Sequence, residues 1–327
     1  MHAKTSAITM VLAAVAALGG VLGAAHAGSA KDTILGTALS PAHIPNPSGR
    51  DIDRFFDEAA QIGSHVTWIF EWNAMPPVIA FHVIPDKAKQ HGLKLHLYLS
   101  PIALLGGRKT PEIPSSVGGT SFNDPKVREA YKQRVLEIAA LAPDYLGLAT
   151  EVNFLAQNPP EFAAFVSLAH ETYRAVKQKY PEQTVTISFQ WDVMMAHKQF
   201  EMLKQFSDCV DVYSFTTYPD AFGDPAKNVP ADYLRAVRKL LPKERVGFSE
   251  VGWSSAPLGN EDAQAAFFAR LPELTGGARF EFVTLALLHD VSLFTGELAR
   301  LNHVGIRRID DRPKKAWEVI LNLPELR

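Results

Sequence analysis

A single cysteine, Cys209, stands in a chain of 327 residues, so no intramolecular disulfide can brace the fold and stability has to come from a buried core. Cys209 falls in Ser207-Asp208-Cys209-Val210-Asp211, an expected helix-to-strand joint, where a lone thiol behaves as a small hydrophobe and not as a nucleophile. Several chemical signatures are missing too. The chain has no Gly-x-Ser-x-Gly turn, no Gly-x-x-x-x-Gly-Lys-Ser/Thr phosphate loop, and no His-x-His or His-Glu-x-x-His pair among its 11 histidines. Gly36-Thr37-Ala38-Leu39-Ser40 lacks the Gly-x-Gly-x-x-Gly spacing of a dinucleotide site, and no cofactor or resident metal is expected. The 33 basic and 35 acidic residues leave a formal charge of −2 without basic runs, so a nucleic acid is not an expected partner. No Gly/Ser linker, charge block or low-complexity stretch divides the chain.

What is present begins with a targeting pattern. Lys4 precedes an apolar run from Ala7 to Ala25, which ends in Ala25-His26-Ala27, the small-x-small form that signal peptidase cuts. Residues 1–27 therefore read as a signal peptide and 28–327 as a secreted or periplasmic chain, with no stable membrane insertion after cleavage; a retained anchor is the other reading of the run. A monomer is expected.

Beyond residue 28 one pattern recurs eight times: a short β-rich apolar run, a polar turn, then an amphipathic stretch of helical period. Strands are expected at Thr33–Leu39, His65–Phe70, Lys94–Leu99, Tyr145–Thr150, Thr184–Gln190, Val210–Thr216, Arg245–Ser249 and Phe280–Leu288. Helices are expected at Gly49–Ile62, Lys126–Leu141, Pro160–Lys179, Lys198–Phe206, Ala231–Leu240, Glu261–Leu271 and Lys314–Leu321, with the second helix obscured by Pro76, Pro77 and Pro85. Eight such units imply an α/β fold, a single-domain (β/α)8 TIM barrel, in preference to an open doubly wound sheet. The long irregular stretch from Leu104 to Phe122 is expected to overhang the carboxyl-end face, either as a lid or as a surface excursion.

Two glutamates mark that face. Glu151 in Ala149-Thr150-Glu151-Val152 and Glu250 in Phe248-Ser249-Glu250-Val251 each sit where an apolar strand gives way to polar and aromatic residues. Ionised side chains are seldom buried unless paired or functional, and two carboxyls meeting at one mouth is the arrangement of glycoside hydrolysis.

With these residues the sequence resembles the retaining (β/α)8 glycosidases of clan A, which include endo-β-galactanases and β-mannanases. The match is best at Phe248-Ser249-Glu250-Val251-Gly252-Trp253 and extends to Thr216-Thr217-Tyr218-Pro219 and to the segment Val304–Trp317 before the last helix. The resemblance implies Glu151 as acid/base, Glu250 as nucleophile, and Tyr218 as a hydrogen-bond donor to that nucleophile. It implies a β-linked poly- or oligosaccharide as substrate, cleaved by double displacement. The sequence departs from the clan at Thr150, where asparagine is usual, in Trp68–Trp72, where no arginine is evident, and at Leu287-Leu288-His289-Asp290, where a tryptophan is common.

Trp72, Trp191, Tyr218 and Trp253 all close strands, and rings gathered at one face suit the apolar faces of sugars. Glu71, Asn153, Gln190, Asp192, His289 and Asp290 are candidate contacts to sugar hydroxyls. Two other classes remain open: a catalytically inactive carbohydrate-binding barrel, and a metal-dependent barrel hydrolase using His96, His289 and Asp290.

Overall fold

The computed structural model describes residues 33–104, 107–222, 228–256, 260–276 and 278–323; the expected signal peptide lies outside the described residues. Eight strands close into a barrel in sequence order: β1 (Ile34–Ala38), β2 (His65–Glu71), β3 (Lys94–Ser100), β4 (Tyr145–Gly147), β5 (Thr184–Gln190), β6 (Val212–Thr217), β7 (Arg245–Val251) and β8 (Phe282–Leu285). Their residues are buried almost throughout, as in parallel sheets covered on both faces, and this is why they read as near-continuous apolar runs. Helices α1 (Gly49–Ile62), α2 (Ala80–Gln90), α3 (Pro125–Ala139), α4 (Pro159–Lys179), α5 (Trp191–His197), α6 (Val237–Leu240), α7 (Glu261–Ala269), α8 (Leu271–Thr275) and α9 (Lys315–Leu321) occupy the connections. None of the described helices is long and apolar enough to cross a membrane.

The chain clusters into two compact units. One holds Trp68–Met75 and Leu95–Thr216, with the end of β2, most of β3 and of β6, all of β4 and β5, and α3 to α5. There β4 pairs with β5 in the register Tyr145↔Thr184 to Gly147↔Thr186, and Gly147 is required because an added Cβ would lie 1.9 Å from the Tyr98 ring. The ladder runs on beyond the named strand, through Leu148 N–H to Thr186 O at 2.9 Å and Ser188 N–H to Ala149 O at 3.0 Å, before the backbone turns at Glu151. Helix α3 starts as its sequence demands: the Asp124 carboxylate accepts from Lys126 N–H at 2.8 Å and Pro125 fills the first turn.

The other unit holds residues up to Thr67, Pro76–Lys94 and Thr217 onward. Helix α1 opens with a reciprocal cap between Ser48 and Asp51, and buries Ile52, Phe55, Phe56, Ala59 and Ile62 on one face. Strand β7 pairs with β8 at Phe248↔Val283 and Val251↔Leu285, so three steps on β7 face two on β8. That extra residue falls at Ser249-Glu250, and a bulge there turns the glutamate out of the regular alternation.

Three expected helices change form. After β5 the chain coils at once into α5, with Gln190 Oε1 accepting from Val193 N–H at 2.6 Å, and continues as a 3-10 segment over Gln199–Phe206. Ala231–Leu240 is helical only over Val237–Leu240, and Glu261–Leu271 ends at Ala269, where Pro272 at the start of α8 restarts the helix.

Candidate active site

The polar end of β4 is built from the unit that contains it. Glu151 adopts left-handed backbone angles, φ 54° and ψ 42°, which a non-glycine residue holds only when its surroundings fix it. Its side chain is buried and both oxygens are engaged. Oε2 accepts from Arg108 Nε at 2.5 Å, and Oε1 accepts from the Thr216 hydroxyl at 2.7 Å. Arg108 also reaches the Ser100 hydroxyl at 3.4 Å, and its Nη1 lies 3.9 Å from Glu71 Oε1. Burial holds the Glu71 carboxyl well above the usual carboxylate range; Arg108 opposes the rise, while Glu112 and Glu151 add to it. Thr150, at the position where the clan usually has asparagine, is buried and donates to Ser100 at 3.2 Å.

Arg108 was not legible as a site residue. It sits in the long loop after β3, whose base is tied by Glu112 N–H to Pro101 O at 2.7 Å and Ala103 N–H to Thr110 O at 3.0 Å. Strand β2 carries no arginine, as its sequence shows, and a loop residue places a guanidinium beside Glu71 and Glu151.

At the end of β7, Glu250 is half-buried and accepts a hydrogen bond from the Tyr218 hydroxyl. Gly252 makes this possible: a Cβ at 252 would stand 2.6 Å from two carbons of the Tyr218 ring. The Arg300 guanidinium lies over the same ring, 5.9 Å from its centroid, and is held by both oxygens of Asp220 at 2.6 and 2.8 Å. Arg300 and Asp220 also escaped the sequence reading, since nothing local distinguishes them from surface charges.

Several expected sugar contacts are structural instead. Trp72, Trp191 and Trp253 are only 3%, 0% and 1% exposed and present no ring face to a sugar. Trp72 packs edge-on against Tyr131, Trp191 lies against Phe215, and Trp253 stacks on Phe267 at 5.0 Å, because the helix or strand beside each supplies an aromatic partner. Of the four strand-end aromatics, only Tyr218 is not fully buried. Asn153 is consumed in holding β5, accepting from Gln190 N–H at 2.7 Å and donating to Gln199 at 3.2 Å, and Gln190 caps α5.

His289 is buried with both ring nitrogens on acceptors, Ser40 O at 2.9 Å and Asp311 Oδ1 at 3.0 Å. Asp311, Glu58, Arg54 and Arg307 form one ionic cluster around it, with Arg307 stacked 4.6 Å over Trp317. Asp290 pairs with Lys314 at 2.7 Å. Burial drives both groups toward neutrality, the Asp290 carboxyl upward and the Lys314 amine downward, each against the pull of the other. His96 instead meets Thr186 at 2.8 Å. The trio His96, His289 and Asp290 is therefore spent on separate structural partners. The described residues that could together offer metal ligands are Glu58, His289 and Asp311, but Arg307 already stands 3.0 Å from Asp311 and 3.3 Å from Glu58.

No protein-family model matches this chain, and no curated protein does. Solved structures do. A family 39 glycoside hydrolase from Bacteroides cellulosilyticus superposes with a TM-score of 0.63 at 18% identity, over 90% of this chain and 64% of its own. The exo-β-1,4-mannosidase Op5Man5 from an Opitutaceae bacterium gives 0.69 at 15% identity, over 89% of this chain and 58% of its own. A GH5_18 protein from Streptomyces cattleya, solved with GlcNAc, gives 0.68 at 15% identity, over 90% and 80%. The fold is the (β/α)8 barrel of these glycoside hydrolases. This barrel spans about two thirds or less of the length of the first two relatives, which carry further chain outside the shared part.

Proposed function

We propose that this glycosidase-type barrel is a retaining glycoside hydrolase for β-linked carbohydrates, with Glu250 as nucleophile, Glu151 as acid/base and Tyr218 as the residue that orients Glu250. The observation that carries the reading is the half-buried Glu250 carboxylate fixed by Tyr218 on a bulged strand end. Catalytic groups of such barrels lie at the carboxyl ends of strands, and Glu151, after β4, and Glu250, at the end of β7, are taken to serve one sugar. Retention requires the two carboxyls to come within about 5–5.5 Å across the scissile bond.

In the first half of the reaction a Glu250 oxygen attacks the anomeric carbon while the bond to the leaving oxygen breaks, and Glu151 passes its proton to that oxygen. In the second, Glu151 as carboxylate takes a proton from water, the hydroxyl attacks the same carbon, and Glu250 is released. The geometry of Tyr218 fits the nucleophile: a phenol donating to a carboxylate keeps it ionised and orients its free lone pairs. No cofactor takes part. The chain is proposed to be exported through residues 1–27 and to act as a monomer outside the cytoplasm.

A second reading is a carbohydrate-binding barrel without activity, favoured by Thr150, whose hydroxyl is spent on Ser100 and is not offered to a sugar. Aryl β-mannosides and β-glucosides, the first chosen because one structural relative is a β-mannosidase, separate the two. Turnover that is lost in both Glu250→Gln and Glu151→Gln supports the hydrolase. Calorimetric binding of oligosaccharides without any release of reducing ends supports the binder.

A further inference from the structure

The Glu151 carboxylate is held by two different kinds of donor. Arg108 has only N–H groups and can never accept a hydrogen bond, whereas the Thr216 hydroxyl can donate or accept by turning about its C–O bond. A proton on Oε2 would compete with the Arg108 Nε–H at 2.5 Å for the lone pairs of that oxygen and would weaken the contact. A proton on Oε1 meets Thr216 at 2.7 Å, and the hydroxyl reverses to accept it. The two oxygens are therefore inequivalent.

We propose, building on the acid/base role given to Glu151 above, that Arg108 is a positioning residue that keeps Oε2 as the unprotonated oxygen and assigns the catalytic proton to Oε1, with Thr216 as its resting acceptor. In turnover Oε1–H leaves Thr216 for the leaving oxygen of the glycoside, the C–O bond breaks, and the aglycone departs as an alcohol. When water attacks, its proton returns to Oε1 and Thr216 reverts to donating. Arg108 keeps its contact throughout.

The surroundings fit this division. Arg108 projects from a loop whose ends are tied together by backbone hydrogen bonds, and holds left-handed backbone angles at φ 54°. Its second carboxyl neighbour, Glu71, is buried, with Oε1 3.9 Å from Arg108 Nη1. Burial raises that carboxyl against the pull of Arg108, so Glu71 competes less for the guanidinium than an ordinary carboxylate would. Glu112, which accepts from Asn73 Nδ2 at 2.5 Å, also stands beside Glu71.

The test compares two leaving groups on the glycone that wild type turns over: phenol, which needs protonation to depart, and 2,4-dinitrophenol, which does not. Proton transfer contributes about 10²–10⁴-fold. Arg108→Gln is expected to lose at least about tenfold in kcat/KM on the phenyl glycoside while staying within about threefold on the dinitrophenyl glycoside, and to move the high-pH limb of its rate profile upward. Thr216→Val should show the same leaving-group split and Thr216→Ser should restore the phenyl rate, which keeps the test open if Arg108→Gln fails to fold. Equal losses on both glycosides in Arg108→Gln, or a phenyl rate in Thr216→Val equal to wild type, would overturn the assignment. Failure of the glycosidase reading looks different: Glu151→Gln and Glu250→Gln would then match wild type on both substrates.

Discussion

Replacing Gly252 by alanine probes the site without touching either glutamate. The new Cβ would stand 2.6 Å from Cδ1 and Cε1 of Tyr218 and 3.1 Å from the Ala286 methyl. Carbon atoms settle at about 3.5–4.0 Å, so the ring has to retreat by about 1 Å, and its hydroxyl leaves Glu250. Overpacking of this kind costs about 1–3 kcal/mol of stability. A reacting group misplaced by about 1 Å loses on the order of 10²-fold in rate. Tyr218→Phe removes only the hydrogen bond to a charged group, about 1.5–3 kcal/mol or roughly 10- to 160-fold. Both variants act through one hydroxyl, so the double variant should be no slower than the slower single one. The assay is kcat/KM on an aryl β-glycoside for the four proteins, with urea unfolding to separate stability from rate. Full activity in Gly252→Ala, or losses that multiply in the double variant, would refute the argument that Gly252 exists to seat Tyr218.

Other expectations follow from buried charge. Arg307→Ala leaves Glu58 and Asp311 with only the more exposed guanidinium of Arg54, and breaking the buried pairs to Arg307 should cost up to about 3–5 kcal/mol in urea unfolding. Burial, aided by Lys94, depresses His65 to about 3 from 6.5, so the unfolded chain takes up that proton first as pH falls. Stability should therefore decline from pH 6.5 toward pH 3 by about 1.4 kcal/mol per unit for this group, and His65→Gln should flatten the slope by that amount. Asp311 behaves in the same direction at lower pH. Burial raises its carboxyl, but His289, Arg307 and Arg54 together hold it below 3.8, so its contribution is present above that value and lost on further acidification; Asp311→Asn should remove that part of the acid limb.

The barrel was legible because parallel strands buried on both faces write themselves as apolar runs, and six of the helices, one of them only in part, announced themselves by period or by caps such as Asn123-Asp124-Pro125. Strand ends were harder. Strand β4 is named only to Gly147 although its ladder runs to Ala149, since the left-handed turn at Glu151 follows at once. The helix α5 was missed because its cap is the last residue of β5, Gln190, which reads equally well as strand. Aromatic content at strand ends also misled: Trp191 and Trp253 close strands, but whether such a ring faces solvent or a neighbouring Phe215 or Phe267 is a tertiary matter. Arg108 lies 43 residues from its partner Glu151, in a loop without periodicity, and no local pattern couples the two. Glu250 and Tyr218, by contrast, were foreseen together, and Gly252 explains why the motif around them tolerates no side chain there.

The central claim is that Glu250 forms a covalent bond to the sugar during turnover. Incubation with a panel of 2-deoxy-2-fluoro-β-glycosyl fluorides, which react with the nucleophile and then hydrolyse slowly, followed by peptide mass mapping, tests it directly. The account predicts one glycosyl adduct, located on Glu250 and absent from Glu250→Gln, with Glu151 unmodified. An adduct on another residue, or unimpaired hydrolysis by Glu250→Gln, would contradict it.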